Sequence, residues 1–285
     1  MVLLSFGGSQ AQLLWQISGN GIEKPSYLFG TIHLGVDISE FNEPLVSTLE
    51  KADVIATEVN TESVTNLGVM QFMFLPDSVS YKDYLTEMEY ALVDSVCKLR
   101  LGVGLALMQK IKPMWLSISL SIDVKSLKDN DGLNNLSLIS LDQQLRDTAF
   151  ALGKKRDELE SAQFQFQLLD SYPLQGQFKM LVESAKADAS SPLTASLDTL
   201  TIMYRTQNID QMANAFAQIP DPFWQNEVVN KRNVGMCQKL IELMQNQSVF
   251  AAVGAGHLGG QKGLVNLLKE KGFTLTPIKL EINHE

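Results

Sequence analysis

Ser26-Tyr27-Leu28-Phe29-Gly30-Thr31-Ile32-His33 is a short apolar run that ends in glycine and then a histidine. It reads as a strand that stops where the backbone must come close to something else. The same device returns near the other end of the chain, in Val249-Phe250-Ala251-Ala252-Val253-Gly254-Ala255-Gly256-His257. Both stretches fit Gly-x-x-His at the exit of an apolar strand, Gly30 to His33 and Gly254 to His257. Two of the 3 histidines occupy these places. The intervening chain is therefore read as the means of bringing them together.

Around the first motif, Leu13 to Ile17 reads as a strand, and Asn20-Gly21 and Lys24-Pro25 supply turn chemistry for an opening hairpin. Beyond His33 a helix starts near Asn42, whose side chain can cap it, with Pro44 tolerated in the first turn. It runs to about Lys51. Asp53 to Glu58 is the next strand, apolar until the carboxylate at its end, and strand–helix–strand order predicts a parallel unit. Around the second motif, Pro222 to Gln245 reads as one helix carrying Arg232 and Asn233. Val249 to Val253 is a strand, Gly259 to Gly272 a helix and Thr274 to Leu280 a closing strand.

Between these ends helical signals dominate. Ser80-Tyr81-Lys82-Asp83 and Thr86-Glu87-Met88-Glu89 are helix starts with a carboxylate placed to cap. Pro113, Ser191-Pro192 and Asp221-Pro222 open further helices. Asp142 and Arg146 form an i,i+4 pair on one helix face. Gly153 to Glu160 breaks the helical run and reads as a short strand, which would put Glu158 and Glu160 on one face. The expectation is an α/β fold with a mixed, partly parallel sheet built from the N- and C-terminal segments and a large helical insertion. It forms a single domain over residues 12–280, with sheet segments 12–60 and 248–280 and the insertion over 61–247.

Composition narrows the function. The 285 residues are 45% hydrophobic and 19% charged, which suits a globular protein with a sizeable core. Acidic residues number 32 against 23 basic, a net charge of −9. That argues against a nucleic-acid surface, where phosphates must be met by clustered Lys and Arg; no basic run exceeds Lys154-Lys155-Arg156. Cys97 and Cys237 are the only cysteines, too few for a disulfide scaffold, and read as buried thiols. Residues 1–11 resemble the end of a signal peptide, with an apolar start and Ser9-x-Ala11 as a small-residue cleavage site. This points to a periplasmic or secreted protein, with the cytoplasm as the alternative. No run approaches the ~20 apolar residues of a membrane span.

Ligands of open α/β sheets lie beyond the carboxyl ends of the strands. His33, Glu58 and His257 each sit at or just after such an end, so one rim of a parallel sheet would gather them. Two imidazoles and a carboxylate suit a divalent metal with open positions. Such a metal polarises a carbonyl and lowers the pKa of bound water. Ligands of oxygen and nitrogen without thiolate suit Mn, Co, Fe or Zn.

Tyr27 to His33, together with Val253-Gly254-Ala255-Gly256-His257-Leu258 and Gly260, resembles the TraB/GumN family, which includes the Tiki proteases. Glu58 at its strand end, Leu159-Glu160-Ser161, and Arg232-Asn233 before the second motif are similar to recurrent family positions. The resemblance covers about residues 12–279. It implies a fold like that of erythromycin esterase and ChaN-type proteins, and a metal-dependent peptidase acting on a peptide or protein substrate. It implies His33 and His257 as metal ligands, with Glu58 and Glu160 as a ligand and a general base in either order. Arg232 would position a substrate carbonyl or carboxylate, supported by Asn233. The alternative is a non-catalytic protein that holds a peptide signal or haem-like ligand in the same cleft.

Overall fold

The computed structural model describes residues 12–32, 36–41, 43–60, 67–121, 140–186 and 197–282. Residues 1–11, His33, Asn42 and Ser191-Pro192, to which the sequence assigns a leader, a metal ligand and two helix starts, lie outside these residues. The strands are β1 Leu14–Gly19, β2 Ser26–Thr31, β3 Val54–Thr57, β4 Lys155–Glu158, β5 Val249–Gly254 and β6 Phe273–Ile278. The α-helices are α1 Glu43–Lys51, α2 Leu67–Met70, α3 Glu87–Leu101, α4 Leu105–Met108, α5 Pro113–Ser121 and α6 Leu141–Ala151. They continue as α7 Ala162–Asp170, α8 Leu174–Lys186, α9 Leu197–Arg205, α10 Ile209–Ala217, α11 Arg232–Met244 and α12 Leu264–Glu270.

The strands form one mixed sheet in the order β4-β3-β5-β2-β1-β6. The pairs β3–β4, β3–β5 and β2–β5 are parallel. β1 runs antiparallel to both β2 and β6. The expected hairpin forms, its turn carried by Gly19, Asn20 and Gly21, all at positive φ. β2 and β3 run in the same direction as predicted, but β5 inserts between them, so the two ends of the chain interleave at the middle of the sheet.

Burial explains the strand sequences. β2 and β3 are buried at every residue and β5 at all but Gly254, and each is a near-continuous apolar run, as strands covered on both faces require. β6 alternates, with Phe273 and Leu275 buried and Thr274 and Thr276 exposed. It is an edge strand, which lets Pro277 omit a ladder donor. The opposite edge, β4, reads Lys-Arg-Asp-Glu; charge there blunts edge-to-edge pairing. β4 ends at Glu158, so Glu160 lies beyond the strand rather than on a shared strand face.

Two compact units are present: residues 1–58, 139–160 and 201–285, and residues 59–138 and 161–200. The first holds the sheet and a core running from Leu13 through Phe29, Ile55 and Phe250 to Leu268. The second has its own core, in which Phe178 lies edge-on to Tyr81 and stacked on Tyr84 at 4.4 Å. Its helix starts are as read: Ser80 with Asp83 and Thr86 with Glu89 form reciprocal capping boxes. Both cysteines are free and buried, and burial pushes the Cys97 thiol up to about 11.

Two helices differ from expectation. The segment before α11 is a π-helix, Trp224–Lys231, so the predicted helix Pro222–Gln245 changes character one residue before Arg232. Wider π turns of this kind often sit at functional sites. The helix expected from Gly259 begins at Leu264. A side chain at Gly259 would strike the carbonyl of Ile209, and one at Gly263 the carbonyls of Leu258 and Gly259. The tight turn over residues 258–263 thus requires glycine at positions 259 and 263.

The start of the parallel core is tied by Asp53. Its carboxylate accepts from the Ser248 backbone N–H at 2.9 Å and from Lys24 Nζ at 3.0 Å, joining the entries to β3 and β5. The Ser248 N–H first and Lys24 second hold the Asp53 carboxyl below the usual carboxylate range. The folded state thus binds this proton less tightly than the unfolded chain, whose value is about 3.9. Its stabilisation is complete above that value and lost as pH falls through the lower folded value. The side chain is 42% exposed, so solvent screening keeps the effect small. Asp53→Asn is expected to lower the melting temperature at pH 7 by about 1–3 °C. The difference should shrink towards zero below about pH 3 in a pH series of thermal melts.

Candidate functional site

Glu58 follows the last residue of β3. Glu160 lies just beyond β4 and His257 in a 3-10 turn, Ala255–His257, directly after β5. The β3–β4 ladder continues past the strand ends, with Leu159 N donating to Thr57 O and Glu160 N to Glu58 O, both at 2.8 Å. Parallel pairing therefore delivers the two carboxylates side by side. Arg232 and Asn233, the first residues of α11, enter the same place.

Arg232 is the hub. Its Nη2 donates to Glu58 Oε2 at 2.5 Å, and its Nε donates to Glu160 Oε2 at 2.8 Å. Nη1 faces His257 Nε2 at 3.3 Å. Glu58, Glu160 and Arg232 are all under 9% exposed and Asn233 is fully buried. Glu58 Oε1 is also engaged, accepting the Gly254 N–H at 2.6 Å. Glu160 differs: among the described residues its buried Oε1 has no hydrogen-bond partner. Burial, only partly offset by Arg232, raises the Glu160 carboxyl above the ordinary carboxylate range. Arg232 is buried too, but Glu58 and Glu160 outweigh that and raise its pKa.

Asn233 sets the histidine. Its Nδ2 donates to the Lys262 carbonyl at 2.8 Å, which leaves Oδ1 as the acceptor facing His257 Nδ1 at 2.6 Å. Nδ1 therefore carries the proton and Nε2 presents a lone pair. That lone pair lies 3.9 Å from Glu58 Oε1. An outer partner that fixes the tautomer in this way is the usual support of a metal-binding imidazole.

The two motif glycines have separate steric reasons. A Cβ on Gly254 would come within 3.2 Å of Glu58 Oε1. A Cβ on Gly30 would meet Leu258 Cδ2 at 3.0 Å and the Cα and Cβ of Ala255 at 3.1 Å. The bare Gly30 backbone thus receives the turn that carries His257, and one motif docks on the other. Tyr204 closes the joint, its hydroxyl donating to the Gly30 carbonyl at 2.6 Å.

Of the residues singled out from sequence, Glu58, Glu160, Arg232, Asn233, His257, Gly254 and Gly30 thus lie in or against one cluster. His33, outside the described residues, belongs to the same motif as Gly30. Among the described residues no three His, Cys, Asp or Glu side chains converge to hold a metal ion; the guanidinium stands between the carboxylates. The donor chemistry fits a cation in part, since His257 Nε2 and Glu58 Oε1 stand within the span that one ion with bonds of ~2.0–2.2 Å can bridge. Asp142 and Arg146, read as a pair on a helix face, are buried beside the strand ends. Their signal was available in the apolar neighbours Leu141, Leu145 and Ala149, which make that face a core face.

The model of the TraB/PrgY/gumN family matches residues 13–277. The chain belongs to this family. A metalloprotease TIKI homolog of Amphimedon queenslandica is 20% identical over 331 aligned positions, covering 97% of this chain and 63% of that protein. A metalloprotease TIKI homolog of Nematostella vectensis is 33% identical over 89 residues, 30% of this chain and 18% of that protein. Metalloprotease TIKI2 of Danio rerio is 37% identical over 60 residues, 20% of this chain and 12% of that protein. The chain thus spans less than two thirds of the relatives' own length. No solved structure matches it. Among the described residues no helix is long and apolar enough to cross a membrane.

The hub makes a direct prediction. Removing the cation of a buried ion cluster leaves uncompensated charge, at a cost of about 3–5 kcal/mol. Arg232→Met should show that loss in denaturant unfolding at pH 7. Arg232→Lys keeps the charge but has one nitrogen to serve both carboxylates and His257, and should fall between. Wild-type stability in Arg232→Met would contradict the hub.

Proposed function

We propose that this chain is a metal-dependent hydrolase that cleaves peptide bonds, working outside the cytoplasm. The observation that carries the reading is the division of labour between the carboxylates. Glu58 has both oxygens engaged, while Glu160 keeps one buried oxygen without a partner among the described residues and has a raised pKa. The family and the TIKI names of its relatives support the same chemistry.

His257 Nε2, Glu58 and His33 would hold the divalent ion, of the Mn, Co, Fe or Zn type. When bound it supplies Lewis acidity to the scissile carbonyl and to water. The chain's own residues do the rest. Glu160 Oε1 accepts a proton from the attacking water and returns it to the leaving amine; a carboxyl group with a raised pKa suits both directions. Arg232 offers fixed donors to negative charge developing on the carbonyl oxygen, in a site that excludes most water. Asn233 keeps the proton of His257 on Nδ1.

The test combines metal and turnover. Protein prepared without chelators in metal-replete medium should carry a divalent metal by elemental analysis and cleave a peptide library; His257→Ala should lose the metal. Glu160→Gln should keep metal and fold yet lose turnover by about 10²–10⁴-fold. A wild-type protein without metal and without cleavage would end this reading, and peptide binding under those conditions would make the cleft a binding site.

A further inference from the structure

Helix α6 turns three polar side chains inward, Asp142, Gln144 and Arg146, with exposures of 9, 5 and 2%. Thr31 Oγ1, at the end of β2, donates to Asp142 Oδ1 at 2.8 Å. The Leu141 N–H donates to the Ile32 carbonyl at 3.3 Å. Gln144 accepts from Ile38 N at 2.8 Å and donates to Val36 O at 3.3 Å. Arg146 Nη1 donates to Thr57 Oγ1, at the end of β3, at 2.8 Å.

β2 and β3 do not pair with each other, because β5 lies between them. Their ends are two strand spacings apart, about 10 Å. Residues four apart on a helix are separated by about 6 Å along its axis, and the long arginine side chain spans the difference. One helix therefore grips both strand ends across β5. Buried polar and ionic groups rarely add net stability over well-packed apolar residues of similar size. Three of them buried on one helix, each holding a strand end or the chain after it, serve geometry.

We propose that Asp142, Gln144 and Arg146 are positioning residues that brace the site across β5. Arg146 fixes Thr57 and with it the adjoining Glu58 carboxylate; Asp142 and Gln144 fix the chain at residues 31–32 and 36–38. Their catalytic meaning rests on the proposed hydrolase, but the brace itself has a reporter that needs no metal. The Gly254 amide donates to Glu58 Oε1, so its exchange with solvent reports where that carboxylate sits.

The experiment compares wild type, Thr57→Val and Thr57→Ser in the full chain. Valine keeps the shape and removes the hydroxyl that Arg146 holds; serine restores it. Amide hydrogen exchange should be about tenfold or more faster at Gly254 in Thr57→Val, unchanged at Ala251 and Ala252 in the middle of β5, and near wild type in Thr57→Ser. No change at Gly254, or equal acceleration along all of β5, would overturn the brace, the latter because it marks a merely structural hydroxyl. Divalent-metal titration of the same samples separates the two ideas. If wild type binds no metal, the hydrolase reading falls while the exchange result still decides the brace. If wild type binds, Thr57→Val should bind about 10–100-fold more weakly, and equal binding would overturn the brace.

Discussion

Two buried carboxylates share one guanidinium, and the site is arranged around that inequality. Arg232 reaches Glu58 and Glu160 at 2.5 and 2.7 Å. Two like charges this close cannot both be buried ionised without compensation. One cation neutralises one of them. With His257 neutral, the described side chains hold one surplus negative charge. A proton on Glu160 or a bound cation would relieve it.

The sheet makes that crowding affordable by geometry. Parallel register places the ends of β3, β4 and β5 at one rim, and the continuing β3–β4 ladder sets Glu58 beside Glu160. Gly254 leaves room for the Glu58 carboxylate and donates its own N–H to it. The Gly30 surface receives the turn carrying His257, and α11 supplies Arg232 and Asn233 from a π-helical lead. Backbone, glycine and helix terminus each remove one degree of freedom from the same few atoms. The precision of the site is thus a property of rigid elements.

Much of this was legible in the chain. The buried strands are apolar runs, and their ends carry the chemistry as glycine, histidine and glutamate. Capping boxes at Ser80 and Thr86 were readable because their partners lie three residues away. Interactions with short sequence separation leave local patterns. The misreadings have the opposite character. The π-helix before Arg232 is a matter of register, which residue types do not announce. The late start of α12 depends on contacts from Ile209 to Gly259, fifty residues apart. Asp142 and Arg146 were read as a pair on one helix face, but spacing alone does not say which side of a helix meets a sheet, and both are buried.

The sequence by itself determined the strands and most of the helices, the mixed α/β character, the two Gly-x-x-His motifs and the placing of Glu58 and His257 at strand ends. Composition and periodicity express burial and backbone preference, and both are local. Tertiary structure alone decided that β5 inserts between β2 and β3, and that Arg232 stands between the carboxylates. It also decided that Glu58 has both oxygens engaged while Glu160 keeps one without a partner among the described residues. Those facts concern atoms brought together from positions 58, 160, 232 and 257. Their electrostatics depend on distances of a few ångströms and on the exclusion of water, and neither quantity exists until the chain has folded.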